Sequence, residues 1–190
     1  MALRAAHGFK QYQRQDLVGG RYSLVGTLHD NEYEPVTASV RLHPDFWINY
    51  LWKTFVGGSV LNATLSPSSP NTIRAYAHCG KPPSTLHDWE SITTLILINL
   101  DNSTDSTTLK LKGVTSYQRW TMTSGEELHP FGTDVYLNGM LMASNISNGK
   151  PINELPVAGV NGEGDIFLPK LSVSFVVVEG IDSKILDQCE

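Results

Sequence analysis

The feature that most constrains this chain is the stretch from residue 43 to 62, HPDFWINYLWKTFVGGSVLN. An aromatic helix pattern runs up to two glycines, and a strand pattern follows them at once. Pro44 suits the first helical turn, because its missing N–H would have no partner there, and His43 before it is a poor cap. Gly57 and Gly58 are expected to end the helix with a left-handed C-cap.

The helix has one predicted buried face, which Phe46 and Trp52 widen. Its members recur with the spacing of an amphipathic helix and are Trp47, Tyr50, Leu51, Thr54 and Phe55. Burying a large apolar side chain contributes roughly 1.5–3 kcal/mol, so a helix this aromatic needs a substantial partner surface. We interpret it as a core helix without a catalytic role.

After the helix the apolar pattern changes from a period of 3.6 to a period of 2, and short strands alternate with turns. SITTLILINL predicts a central strand, and TTLKLKG and SYQRWTM predict neighbouring strands around a turn. Asn138-Gly139 between apolar runs predicts a two-residue hairpin turn. The run LPKLSVSFVVVEG predicts a core strand whose buried face carries Leu171, Val173, Phe175 and Val177. Strands at this spacing indicate an antiparallel β-sandwich.

Two cysteines, Cys79 and Cys189, lie far apart and would alone be weak evidence for a disulfide. Three N-glycosylation sequons, at Asn62, Asn102 and Asn145, indicate a secreted protein. In an oxidising compartment a bond between the two cysteines becomes the better interpretation. It would close a loop of about 110 residues.

The charge and motif content exclude several functions. A net charge of −5 argues against a nucleic-acid partner, and no apolar run is long enough to predict a transmembrane segment. Residues 1 to 12 lack the apolar core of a signal peptide. No catalytic motif, cofactor motif or metal-ligand spacing is present, so we predict no cofactor and no metal, and we interpret the cluster of His29, Asp30, Glu32 and Glu34 as a solvated loop. His78, beside Cys79, is interpreted as structural.

Five segments together resemble a known family. They are RQDLVGGRYSLV, PDFWINYLWKTFVGGSVLNAT, IRAYAHC, VYLNGMLM and IFLPKLSVSFVVVEG, followed by a cysteine near the end. In this order they resemble the C-terminal part of the heparanases and heparanase-like proteins, which are endo-β-glucuronidases of the retaining glycoside hydrolase class. The resemblance runs in register over nearly the whole chain.

The resemblance implies a fold that is mostly β, with a C-terminal antiparallel β-sandwich preceded by the last strands and helix of a (β/α)8 barrel. Residues 1–57 would be the remnant of the barrel, and residues 58–190 would be the sandwich domain. The helix would then have a barrel wall beside it. The cysteine pair matches the disulfide that the family has within its sandwich.

The resemblance also implies where the chemistry lies. Both catalytic carboxylates of the family lie upstream of the point where this chain begins, so we expect no catalytic residue in it. Loops at the C-terminal ends of barrel strands hold substrate, and the GGxY motif places Gly20 and Tyr22 against the glucuronate, with Gln15 as a weaker candidate. The family's basic cluster after the barrel is reduced to Lys53 and Arg74, which argues against tight binding of a highly sulfated polyanion.

Our interpretation is therefore the C-terminal part of a heparanase-like β-glucuronidase, inactive without its N-terminal barrel portion. Its partner would be a glucuronide-containing polysaccharide of the heparan sulfate kind, with the degree of sulfation open. We expect it to be secreted or lysosomal, and association with a membrane surface stays open. The rival interpretation is a non-catalytic β-sandwich module that binds carbohydrate or protein at the cell surface.

Overall fold

The computed structural model describes residues 2–8, 24–27, 40–66, 71–81, 92–103, 106–111, 114, 116–124, 135–142, 160–179 and 189, and structural statements refer to these. Two helices are present, α1 (Ala2–Ala6) and α2 (Pro44–Phe55). The strands, in chain order, are β1 (Val25–Thr27), β2 (Val40–Leu42), β3 (Val56–Leu61), β4 (Ile73–Gly80), β5 (Ile92–Asn99), β6 (Ser106–Lys110), β7 (Tyr117–Ser124), β8 (Val135–Leu137), β9 (Met140–Leu141), β10 (Val160–Gly162), β11 (Asp165–Pro169) and β12 (Ser172–Glu179).

One large sheet of eight strands organises the described part of the chain. Its order is β3-β4-β5-β12-β7-β8-β9, and β10 also pairs with β7. Two smaller pairs are β1 with β2 and β6 with β11, and every pairing is antiparallel. The predicted mostly-β, antiparallel fold is confirmed. The strand predicted to be central, β5, lies between β4 and β12.

Helix α2 packs on one face of the large sheet, and the β6–β11 pair covers the other. Successive side chains of a strand point to opposite faces of the sheet, so alternate residues of β12 pack against different layers. Phe175 and Val177 join the cluster that includes the helix residues Trp47, Leu51 and Phe55. Val176 and Val178 of β12 join the opposite cluster, whose fully buried members also include Ile166 and Leu168 of β11.

The prediction that residues 107–113 and 116–122 form neighbouring strands is wrong. β6 pairs with β11, over the register Ser106↔Pro169 to Lys110↔Asp165, whereas β7 lies in the large sheet against β12. The reason is burial: Leu109 of β6 lies in the apolar cluster that covers the sheet, so this strand leaves the plane of β7 to form a second layer. Strand patterns alone do not choose between these two arrangements.

The helix forms where the sequence predicted it. Its buried residues are Trp47, Leu51 and Phe55, and His43 makes no side-chain capping hydrogen bond. The predicted left-handed C-cap is wrong, because the helix ends at Val56 with extended backbone (φ −94°, ψ 124°) and neither following glycine has a positive φ. The chain instead passes directly from α2 into β3.

Gly57 is required for close approach between strands. A Cβ at this position would lie 2.5 Å from the carbonyl oxygen of Cys79, whereas a Cβ at Gly58 would meet nothing within 4 Å. The β3–β4 pairing shifts register between Val56 and Val60, which is the mark of a β-bulge. The two glycines therefore have different roles despite their adjacency.

We expect Gly57→Ala to lower the free energy of unfolding by about 1–3 kcal/mol, since the strands must move apart to admit the methyl group. Gly58→Ala is the matched control, and we expect it to be neutral or stabilising by less than about 1 kcal/mol, because it restricts the unfolded chain. Urea unfolding of both variants measures the difference. Equal effects of the two substitutions would contradict the close approach.

The hairpin at Asn138-Gly139 is confirmed. Both residues have positive φ, 50° and 80°, and Leu137 pairs with Met140 across the turn. The Asn138 side chain also accepts a hydrogen bond from the Thr121 N–H at 2.8 Å, which ties the turn to β7.

The predicted buried face of the last strand is confirmed in β12 for Phe175 and Val177, with Val173 packed against the same cluster. The prediction that Leu171 belongs to this buried face is wrong. Leu171 lies in the turn before the strand, with a φ of 44°.

The two described strands before α2 form an antiparallel pair, with Val25 opposite Leu42. Leu42 is buried in the same cluster as the helix. The division into a barrel remnant (1–57) and a sandwich (58–190) stays a prediction. The structural change from helix to strand falls between Phe55 and Val56, close to that border.

Candidate functional site

The residues predicted to bind substrate, Gly20, Tyr22 and Gln15, lie outside the described residues, as does the acidic loop around Glu32. Their role stays a prediction. The described chain resumes at Leu24, whose carbonyl oxygen accepts a hydrogen bond from the His43 N–H at 3.0 Å.

The start of α2 is therefore joined to the segment that follows the GGxY motif. The β1–β2 pair continues this connection from Val25 to Thr27. His43, directly before the helix, is buried. These contacts connect residues 24–27 to the start of α2.

The other end of α2 is fixed to the large sheet by polar and aromatic contacts. The Phe55 carbonyl accepts hydrogen bonds from the Thr94 hydroxyl at 2.7 Å and from the Lys81 N–H at 2.8 Å. The rings of Phe55 and Trp120 lie 4.0 Å apart between centroids, at 30°. Two hydrogen bonds and an aromatic contact thus hold the end of the helix against the sheet.

His78 is a buried titratable group at the same interface. It is 1% exposed, and its ring meets the ring of Trp52 edge-on at 5.1 Å between centroids. Within the described part of the chain neither ring nitrogen has a hydrogen-bond partner. Burial lowers the pKa of His78 below its ordinary value of 6.5, because the charged form loses its hydration. The structural interpretation of this histidine fits its surroundings.

The pH dependence of stability follows from this pKa. The folded state binds the proton less readily than the unfolded state, so stability is full above about pH 6.5 and falls as the pH drops below it, until the folded pKa is passed. The slope attributable to one proton is at most about 1.4 kcal/mol per pH unit. We expect His78→Phe to remove this contribution and flatten the curve of unfolding free energy between pH 7.5 and 5.

The control is His7→Gln, since His7 is exposed in the turn after α1. This variant should keep the pH dependence of the wild-type chain. Chemical unfolding at several pH values gives both curves, and a His78→Phe curve parallel to that of the wild type would contradict the prediction.

Two of the three sequon asparagines, Asn62 and Asn102, fall in the described residues. Asn62 follows β3 and is exposed, and it lines a groove of about 480 Å³ together with Val60, Tyr76 and several small residues. Asn102 is exposed in the loop after β5, where Asp101 accepts hydrogen bonds from the Ser103 N–H and hydroxyl. Asn145 lies outside the described residues. Glycosylation stays a prediction at all three positions.

The disulfide between Cys79 and Cys189 is present, so the predicted pairing is confirmed. It joins β4 to the C-terminal segment and lies beside Leu61 and Ala77. Among the described residues no group of three or more histidine, cysteine or acidic side chains could hold a metal ion. No described helix is long and apolar enough to cross a membrane.

Sequence reasoning did not find the groove beside Asn62. Its walls come from β3, from β4 and from Ala6 of α1, which only the tertiary fold brings together. The one signal in the sequence is the sequon itself, which predicted an exposed site at the end of a strand.

No family model matches the sequence. Heparanase from Gallus gallus is 30% identical over 187 residues, which is 94% of this chain and 32% of that protein. Heparanase-like protein 1 from Arabidopsis thaliana is 33% identical over 114 residues, covering 60% of this chain and 18% of its own length. Heparanase from Bos taurus is 33% identical over 105 residues, which is 55% of this chain and 17% of that protein. The chain thus spans about a third or less of these relatives.

Solved structures with a loosely similar backbone are glycoside hydrolases. BuGH86wt in complex with neoagarooctaose has a TM-score of 0.46 at 15% identity over 83% of this chain and 21% of that chain. The arabinose-bound MgGH51 α-L-arabinofuranosidase has a TM-score of 0.45 at 18% identity, over 84% of this chain and 21% of that chain. These scores lie below the level at which a shared fold follows.

Proposed function

Since this chain belongs to the family of heparanases and heparanase-like proteins, we propose that it forms the C-terminal part of a retaining β-glucuronidase. The enzyme would hydrolyse glucuronide bonds in glycosaminoglycan or proteoglycan glycans. The observation that supports this proposal most is the similarity to chicken heparanase over 94% of the chain. The activity belongs to a longer protein, because the chain spans 32% of that relative.

A retaining glycosidase uses two carboxyl groups about 5–5.5 Å apart, one as nucleophile and one as acid and base. We assign both to the barrel portion outside this chain. The contribution of this chain is recognition of the uronate carboxylate, through the backbone N–H of Gly20 and the hydroxyl of Tyr22, with Gln15 nearby in sequence. Hydrogen bonds to an ionised carboxylate are about twice as strong as neutral ones, so two such donors select a uronate over a neutral sugar.

The described residues suggest how these donors are held in place. The segment after Tyr22 is bonded to the start of α2 through Leu24 and His43, and the end of α2 is bonded to the large sheet through Phe55. A binding group needs a rigid support to stay within about 0.5 Å of its productive position. In the proposed enzyme the sheet would give this support, and it would take no part in the chemistry.

We also propose that the protein acts outside the cell or in the lysosome. Disulfides persist in oxidising compartments and are rare in the cytosol. The Cys79–Cys189 bond supports this location.

The test is turnover of a fluorogenic β-glucuronide by the longer protein that carries both carboxylates. We expect Tyr22→Phe to lower kcat/KM by about 10- to 100-fold, since a hydrogen bond to a charged group contributes roughly 1.5–3 kcal/mol and about 1.4 kcal/mol is tenfold. The matched control is Tyr136→Phe, which removes a phenol hydroxyl from a half-buried tyrosine on β8 and should leave turnover unchanged.

A folded longer protein that does not hydrolyse any β-glucuronide would contradict the proposed function. Turnover that is unaffected by Tyr22→Phe would leave the reaction in place but contradict the assignment of this residue. A neutral β-glucoside serves as the specificity control, because it lacks the carboxylate that the two donors are proposed to recognise.

A further inference from the structure

The sequon Asn62-Ala63-Thr64 directly follows the end of β3. Its middle residue packs beside Leu61 and Ala77, whereas Asn62 and Thr64 are exposed. The asparagine to be modified and the threonine that the sequon requires are therefore both accessible from the solvent. The fold therefore leaves room for a modification at this asparagine.

The groove beside Asn62 has an uncharged surface. Val60, which is 42% exposed, and half-buried Tyr76 give it apolar area. The other described lining residues are Leu61, Asn62 and four alanines, and none of them carries a charge. Such a surface suits a neutral ring with one apolar side, and it does not suit an anion or a cation.

The groove also lies beside β3, the last strand on one side of the described sheet. Among the described strands β3 pairs with β4 alone, so its outer backbone groups could pair with another chain. Val60 adds an exposed apolar side chain to this edge. Natural sheets protect such edges with charge, proline or a covering group, and VGGSVL contains no charged residue and no proline.

We propose that Asn62 carries an N-linked glycan whose first N-acetylglucosamine lies in this groove, with the rest of the glycan covering the outer edge of β3. The sugar ring places its C–H face over Val60 and Tyr76, and its polar groups face the solvent. The disulfide independently indicates the compartment in which such a glycan is attached. This inference does not depend on the proposed glycosidase activity.

The first experiment maps the modification on the chain secreted from animal cells. Peptide mapping after amidase treatment should show Asn62 converted to aspartate. Asn62→Gln and Thr64→Ala should lose the glycan, and Thr64→Ser, which keeps the sequon, should retain it. An unmodified Asn62 in the secreted protein would overturn the proposal.

The second experiment tests where the first sugar lies. Nitration of Tyr76 should be several-fold faster in Asn62→Gln than in the glycosylated protein, while Tyr136, half-buried on β8, should react equally in both. Enzymatic trimming to a single N-acetylglucosamine should preserve the protection of Tyr76. Equal reactivity of Tyr76 in all forms, or protection lost on trimming, would overturn the placement of the sugar in the groove.

The third experiment tests the cover over the edge. Sedimentation should show self-association of Asn62→Gln at concentrations where the glycosylated chain remains monomeric. Asn102→Gln serves as the control because it removes a sequon far along the chain from β3. A monomeric Asn62→Gln at every concentration would overturn the role of the glycan at this edge.

Discussion

Replacing Cys79 and Cys189 together by alanine is expected to lower the free energy of unfolding by about 4–5 kcal/mol. The bond joins residues 110 apart in sequence, and closing so long a loop removes much of the freedom of the unfolded chain. A loss of this size is a large part of the stability of an ordinary domain. Urea unfolding of the oxidised chain and of the double variant gives the difference.

The reductant provides the control for this prediction. Dithiothreitol should destabilise the wild-type chain and leave the double variant unchanged, because only the former has a bond to reduce. Since Cys79 is buried, alanine is preferred to serine, which would add the separate cost of burying a hydroxyl group. Equal stability of the oxidised and reduced wild-type chains would contradict the prediction.

Removing the aromatic contact between α2 and the sheet should have a similarly large effect. Phe55 and Trp120 are buried and in ring contact, so Phe55→Ala and Trp120→Ala should each destabilise the chain by about 3–5 kcal/mol. The destabilisation of the double variant should be smaller than the sum of the destabilisations of the two single variants. The difference measures the coupling between the rings, for which we expect about 0.5–1.5 kcal/mol.

Trp52→Ala is the matched control, because this tryptophan lies on the same helix and is only partly buried. Trp52→Ala should lower the free energy of unfolding clearly less than Phe55→Ala does. Strict additivity of the Phe55 and Trp120 substitutions would mean that the two side chains stabilise the chain independently, in contradiction to their contact.

Elements that depend on neighbouring residues were predictable from the sequence. Helix α2 follows from the spacing of its aromatic residues and from Pro44, and the turn at Asn138-Gly139 follows from the positive φ that both positions need. The central position of β5 follows from its apolar length. In each case the determining interactions lie within about ten residues.

Features that depend on distant residues were not predictable. Gly57 resembles a helix cap in sequence, but the position of the Cys79 carbonyl decides its role. Leu109 resembles a member of the main sheet, but its burial against β12 and β11 puts its strand in a second layer. The partner of a strand depends on the whole fold, which local patterns do not contain.

The same limit applies to the candidate sites. The disulfide between Cys79 and Cys189 was predicted from the expected oxidising compartment and from the family resemblance. The substrate-binding role of Tyr22 was predicted from the resemblance alone. Two features arise from packing between elements distant in sequence: the burial of His78 without a hydrogen-bond partner among the described residues, and the groove beside Asn62.

The position of β12 governs the order in which this sheet can be completed during synthesis. β12 is the last described strand along the chain, yet it lies between β5 and β7 and pairs with both. Until residues 172–179 leave the ribosome, neither β5 nor β7 can pair with β12. Because chain elongation adds about 5–20 residues per second, the strands made earlier wait several seconds for this partner. The large sheet can therefore close only near the end of the synthesis of this chain.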